Sequence, residues 1–178
     1  GNPGPDFKHG WGEINVLRGL NILENNNYES GTITQGSDED HILNIPAGTQ
    51  EIKIMVYWHD KEASTNASVA LVNDLDITLT TPSGNTIYPW VLDPTPSSTI
   101  LNTPAVQGVD NLNNMEQITI KNPPAGAYIL SINGTTVPYG PQQYFMTYEI
   151  KSSEITLTYP IGGEGLVPGE FELIRWDA

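Results

Sequence analysis

In the stretch EIKIMVYWHD, residues 51–60, an apolar side chain stands at every second position. Ile52, Ile54, Val56 and Trp58 fall on one face, with Glu51, Lys53 and Tyr57 on the other. Successive side chains of an extended chain point to opposite faces, so this period of two predicts a strand with one buried side. The same period runs through most of the chain after residue 30. SGTITQG (30–36) and HILNIPAG (41–48) are short runs broken at Gly and Pro, and ASVALVNDLDITLTTP (67–82) closes at the turn PSGN before TIYPW (86–90). MEQITIKN (115–122), GAYILSING (126–134) and QQYFMTYEI (142–150) are also of strand length and bounded by turn residues. In GAYILSING, Tyr128, Leu130 and Ile132 share the face predicted to meet the core. About eight short strands with no helix between them predict a mainly β fold, an antiparallel jelly roll or β-sandwich.

One segment breaks this period. In WGEINVLRGLNILENN, residues 11–26, Ile14, Leu17 and Leu20, with Val16 and Leu23 beside them, recur at helical spacing, and ENNN ends the run. This predicts one N-terminal helix of about three turns, starting near Glu13. Residues 91–113, rich in Pro, Asn and Ser, read as a long irregular connection.

Charge narrows the partners. With 21 acidic against 7 basic side chains the formal net charge is −14. Nucleic-acid binding needs Lys and Arg to displace phosphate counterions, so no nucleic acid is expected, and anionic membrane surfaces are disfavoured likewise. No apolar run has the length to cross a bilayer, so no membrane insertion is expected. There is no Cys, which excludes disulfides, zinc–thiolate sites and thiol nucleophiles. The N-terminus GNPGPDFKHG has no signal-peptide layout; a secretory signal would lie upstream of it. A monomer is expected.

Several motifs together carry a family resemblance. GPDFKHGWGEINVLRGL, with the turn Gly10-Trp11-Gly12 leading into a helix, resembles the closing segment of subtilisin-like serine protease catalytic domains. Leu-Val-Asn-Asp-Leu-Asp (71–76), Pro-x-x-Gly-x-Tyr (123–128) and Gly-Pro-Gln-Gln (140–143) are similar to the β-barrel or jelly-roll domain appended to many secreted bacterial subtilases, related in architecture to the P domain of proprotein convertases. The tail YPIGGEGLVPGEFELIRWDA resembles the first strands of immunoglobulin-like modules. The resemblance implies a cut from a longer protein: residues 1–27 as the loop and helix ending a catalytic domain, 28–151 as the accessory sandwich, and 152–178 as a linker and the first strands of a following module. It further implies a bacterial protein, secreted or at the cell surface. Its role would be non-catalytic: stabilising its own catalytic domain and helping that parent endopeptidase recognise protein substrates. A carbohydrate- or surface-binding jelly roll is the alternative, with Trp58, Tyr88, Trp90, Tyr139, Tyr144 and Phe145 as a stacking platform, although aromatics at alternating strand positions read first as core or barrel-rim packing.

Catalysis by this segment itself is not expected. The family places its nucleophile in a Gly-Thr-Ser-Met-like turn, and no such stretch occurs here. The histidines are His9, His41 and His59; His59 precedes Asp60, but neighbours on a strand point to opposite faces. The Asp74–Asp76 pair leaves three readings open. Both carboxylates are solvated, or one, Asp74 by preference, accepts backbone amides of a neighbouring loop, or the pair contributes to a calcium site. Calcium takes six to eight oxygens from carboxylates, Asn and main-chain carbonyls. VDNLNNMEQ, residues 109–117, offers more such groups, so the candidate set is Asp74, Asp76, Asp110, Asn114 and Glu116. The resemblance also implies calcium. GSDEDH (36–41) reads as a solvated turn.

Overall fold

The computed structural model describes residues 4–152 and 155–177. Its helix, α1 (Val16–Glu24), is shorter than expected because Asn15 caps it: the side-chain oxygen accepts the Arg18 amide at 3.0 Å. The cap fixes the start three residues after Glu13. Asn26, in the left-handed region at φ 53°, turns the chain out of the helix.

Eight strands then build two antiparallel sheets. They are β1 (Tyr28–Ile33), β2 (Asp38–Ile45), β3 (Thr49–Trp58), β4 (Asp74–Thr80), β5 (Thr86–Ile87), and, after a two-stranded excursion, β8 (Met115–Lys121), β9 (Gly126–Thr136) and β10 (Gln142–Ser152). The excursion pairs β6 (Trp90–Val91) with β7 (Val106–Gln107). One sheet has the order β1-β10-β3-β8 and the other β2-β9-β4-β5. Apart from the β4–β5 hairpin, consecutive strands of the two sheets alternate between them, the arrangement of a jelly roll. A separate pair, β11 (Thr156–Tyr159) with β12 (Arg175–Asp177), follows.

The core lies between the two sheets and follows the period of two. Ile52, Ile54, Val56 and Trp58 of β3 are fully buried against Leu75, Ile77 and Leu79 of β4 and Tyr128, Leu130 and Ile132 of β9. Burying a large aliphatic or aromatic side chain contributes about 1.5–3 kcal/mol each, so this layer dominates the stability.

Three expectations shift. Residues 67–73 are loop, not strand, because Asp60 takes the backbone amides of Val72 and Asn73 that sheet pairing would use. TIYPW yields only the two residues of β5 before the chain turns away, and Pro89 has no N–H for a ladder. GSDEDH is not a solvated turn: after a tight turn at Gln35 and Gly36, closed by the Ser37 amide on the Thr34 carbonyl, Asp38–His41 opens β2. The expected irregular connection holds β6, β7 and a short 3-10 turn at Ile100–Asn102. β6 packs against β8, and Gln117 and Thr119 on the outer face of β8 are buried.

Candidate functional site

β5 pairs only with Leu79 and Thr80, which leaves Asp74–Thr78 of β4 without a strand on that side. Across this gap β8 forms the edge of the opposite sheet. Its inward face carries Glu116, Ile118 and Ile120, in register with Val56, Ile54 and Ile52. Glu116 therefore occupies a core position and is 0% exposed. One carboxylate oxygen, Oε2, accepts the Ile77 amide at 2.9 Å, in place of the missing strand. The other, Oε1, is buried without a hydrogen-bond partner.

The surrounding groups are also acidic. Asp74 Oδ1 and Asp76 Oδ1 are buried and unpartnered, while Asp76 Oδ2 accepts from the Thr135 hydroxyl. Asp110, itself buried, is fully engaged: Oδ1 takes the amides of Leu112 at 2.9 Å and Asn113 at 3.2 Å, and Oδ2 takes Asn113 Nδ2 at 2.7 Å. Burial pushes the Glu116 carboxyl up to about 9; the Ile77 amide opposes this, and the charges of Asp76, Asp110 and Asp74 add to it. Asp74 is raised to about 6, by burial first and then by Asp76, Asp110 and Asp60. Four carboxyl groups thus repel one another at one seam. Protonation of Glu116 relieves this, and so does a hard cation.

The oxygens left without partners fit a hard cation in type: three carboxylate atoms from three residues, all shielded from water. Among the described residues, however, no three His, Cys, Asp or Glu side chains stand in a ready-made metal-holding arrangement. Unpartnered buried oxygens are costly whatever their spacing.

Of the candidates named from the sequence, the structure groups Asp74, Asp76, Asp110 and Glu116 and sets Asn114 apart. The Asn114 side-chain amide donates to the Trp58 carbonyl at 2.8 Å, and its own carbonyl accepts the Trp58 amide at 3.2 Å, extending the β3–β8 ladder. The reading of Asp74 as the acceptor of loop amides is overturned, since that role belongs to Asp60. Its carboxylate takes the amides of Lys61, Val72 and Asn73 at 2.7–2.8 Å and cinches the loop between them. Asn73, 1% exposed, then joins two of the sequence motifs: its Nδ2 donates to Gln142 Oε1 at 2.7 Å, and its carbonyl accepts Trp58 Nε1 at 2.8 Å. An aspartate closing an apolar strand ahead of a polar loop was the available signal for Asp60.

The six aromatics named above form no single platform. Trp58 and Tyr144 are core residues with no exposed surface. Tyr139 lies under the Lys61 ammonium, 3.8 Å from ring centre to nitrogen, beside an open groove of about 690 Å³ lined by Glu62, Val69 and Val72. Trp90 packs against the N-terminal segment, so closely that a side chain at Gly4 would overlap its ring. The nearby pocket of about 240 Å³ has Trp11 and Asp110 among its walls.

No protein-family profile and no curated protein matches this sequence. Two solved structures are similar at a distance. The lipase BlEst2 of Bacillus licheniformis, in its propeptide form, is 14% identical with a TM-score of 0.43, over 71% of this chain and 22% of its own. A protein from Sulfurospirillum deleyianum is 12% identical with a TM-score of 0.36, over 70% of this chain and 98% of its own. The chain thus spans under a quarter of the lipase. Similarity this low supports no statement about activity. Among the described residues no helix is long and apolar enough to cross a membrane.

Proposed function

We propose that this chain is a non-catalytic accessory module of a secreted, bacterial, subtilisin-like serine endopeptidase, whose jelly roll braces the catalytic domain and aids protein-substrate recognition. One observation carries the reading. No residue of α1 is buried, and the sandwich core closes without it. Val16, Leu17, Leu20 and Leu23 are 80%, 42%, 48% and 59% exposed, on a helix tied to β10 by the ion pair Arg18–Glu149 at 3.3 Å. An apolar stripe held out on a capped helix suits packing against a neighbouring domain, and the sequence resemblance names a catalytic domain of the same polypeptide as its occupant.

The test is Leu20→Glu, made both in the complete protease and in this chain alone. The melting temperature of the protease falls by several degrees while the isolated sandwich is unchanged. A protease that melts and cleaves as before would refute the bracing role.

Calcium is the second part of the proposal. Asp74, Asp76 and Glu116 would hold the ion, with Asp110 adding charge from beside it. Bound there, calcium supplies the positive charge that this seam lacks and ties β4 of one sheet to β8 of the other. Thermal scans with added calcium and with a chelator test this; identical transitions would end the idea.

A further inference from the structure

The opposite seam of the sandwich is closed by hydrogen bonds whose protons do not balance. There β1, the edge of one sheet, meets β2, the edge of the other. His41 of β2 reaches two ways: Nδ1 lies 2.7 Å from Glu29 Oε2 on β1, and Nε2 lies 2.7 Å from the Tyr144 hydroxyl on β10. The Tyr144 hydroxyl in turn makes a short bond to Glu39 Oε2 on β2. The chain Glu29–His41–Tyr144–Glu39 therefore crosses from sheet to sheet through three contacts. The His41 side chain is 13% exposed and that of Glu29 53%, so the chain runs from a half-exposed carboxylate into the seam.

At hydrogen-bond distance two electronegative atoms need a proton between them. Three contacts require three protons. A carboxylate supplies none, a neutral imidazole one, and the Tyr144 hydroxyl one. Burial and the bond to Glu39 push Tyr144 ionisation upward, so its hydroxyl keeps its proton. The side chains as they stand in neutral water thus provide two protons for three contacts, and one contact would set lone pair against lone pair. Tyr144 and Glu39 are packed tightly beneath β1, where a Cβ on Gly31 would overlap both the Tyr144 hydroxyl and Glu39 Oε2, so the half-exposed Glu29 is the member that can withdraw.

The other polar groups here do not supply the missing proton. On β2, Asp38 and Asp40 are engaged by Asn133 and Ser131 of β9. On β10, Tyr148 is sensitive to the Glu29 charge but is not hydrogen-bonded into the chain. Lys151 of β10 pairs with Glu51, and Arg18 of α1 pairs with Glu149.

We propose that this four-residue chain is a pH-operated latch between β1 and β2, which in its closed form holds one proton more than its separate side chains carry in neutral water. The extra proton is released when the latch opens, so rising pH favours the open form. Because β1 follows α1 directly, with Tyr148 donating to the Asn27 carbonyl at 3.0 Å, the latch governs the footing of the exposed helix.

The geometry also shows how to remove the requirement. Glu39→Gln places an N–H donor beside the Tyr144 oxygen; the Tyr144 hydroxyl then donates to His41 and His41 to Glu29, completing three contacts with a neutral ring. Glu29→Gln does the same from the other end. The experiment is denaturant unfolding of the 178-residue wild-type chain and both variants over about pH 6 to about pH 9. One extra bound proton makes the wild-type unfolding constant climb about tenfold per pH unit relative to both variants, once the pH passes about 6.5, where free imidazole loses its proton. Should the wild-type profile run parallel to that of either variant, the latch is refuted. Two variants at opposite ends keep the test decisive if one of them fails to fold.

Discussion

Glu116→Gln separates a buried acid that merely burdens the fold from one that serves as a ligand. Without a cation, Glu116 titrates at about 9 in the folded chain against a reference value of 4.5. A raised carboxyl leaves stability intact below the unfolded value, and stability is then lost as pH rises toward the folded one. Over that span each pH unit costs the native state about 1.4 kcal/mol. At about pH 7.5 the sum is about 4 kcal/mol, an upper bound because the pocket can relax. Gln is neutral throughout; its oxygen can keep the Ile77 bond while its N–H groups reach toward the unpartnered oxygens of Asp74 and Asp76. In chelator the variant is therefore more stable than wild type, with a melting temperature raised by on the order of 10 °C at most. Calcium narrows the gap. At about one hundred times its dissociation constant the ion stabilises the wild type by about 2.7 kcal/mol, while the variant has lost a charged ligand. The assay is four thermal scans, and the signature is a difference between variant and wild type that shrinks when calcium replaces chelator. If the variant is destabilised equally with calcium and with chelator, Glu116 is neither a burden nor a ligand, and the account of the seam falls.

Three further outcomes are expected. Asp60→Ala strands the amides of Val72 and Asn73 and costs about 2–3 kcal/mol; limited proteolysis should then cut within residues 61–72, and an unchanged digest would refute the tether. Ile54→Ala, at the centre of the core, costs about 3–4 kcal/mol by denaturant titration, and a loss below about 1 kcal/mol would contradict its packing. Gly31→Ala forces Tyr144 and Glu39 aside and costs about 1–3 kcal/mol, read as a lower melting temperature, with no loss refuting the close approach.

The alternation in EIKIMVYWHD and GAYILSING is imposed by two sheets that each bury one face, so the core was legible along the chain. The strand ends were less so. Residues 67–73 carry an apolar run, yet a single carboxylate at Asp60 takes the amides of Val72 and Asn73, 12 and 13 positions along the chain. Nothing local in that run records such a competitor. The acidic site was legible as composition but not as geometry: Asp74, Asp76, Asp110 and Glu116 meet because a two-residue strand leaves β4 open to β8. Asn114, of a suitable type for calcium, is drawn into the β3–β8 ladder. The histidine seam left no local signal because its members lie on three strands, with Tyr144 more than a hundred residues from its partners His41 and Glu39, and GSDEDH alone reads as hydrophilic filler.

The brevity of β5 has a consequence of another kind. An unoccupied strand margin offers amides and carbonyls on which a neighbouring molecule can extend the sheet, the first step of edge-to-edge aggregation. Here the exposed stretch of β4 ends in a carboxylate from the facing sheet, seated on the Ile77 amide where an incoming strand would need its donor. A side chain, unlike a strand, cannot pass the ladder on, so sheet growth stops at this border.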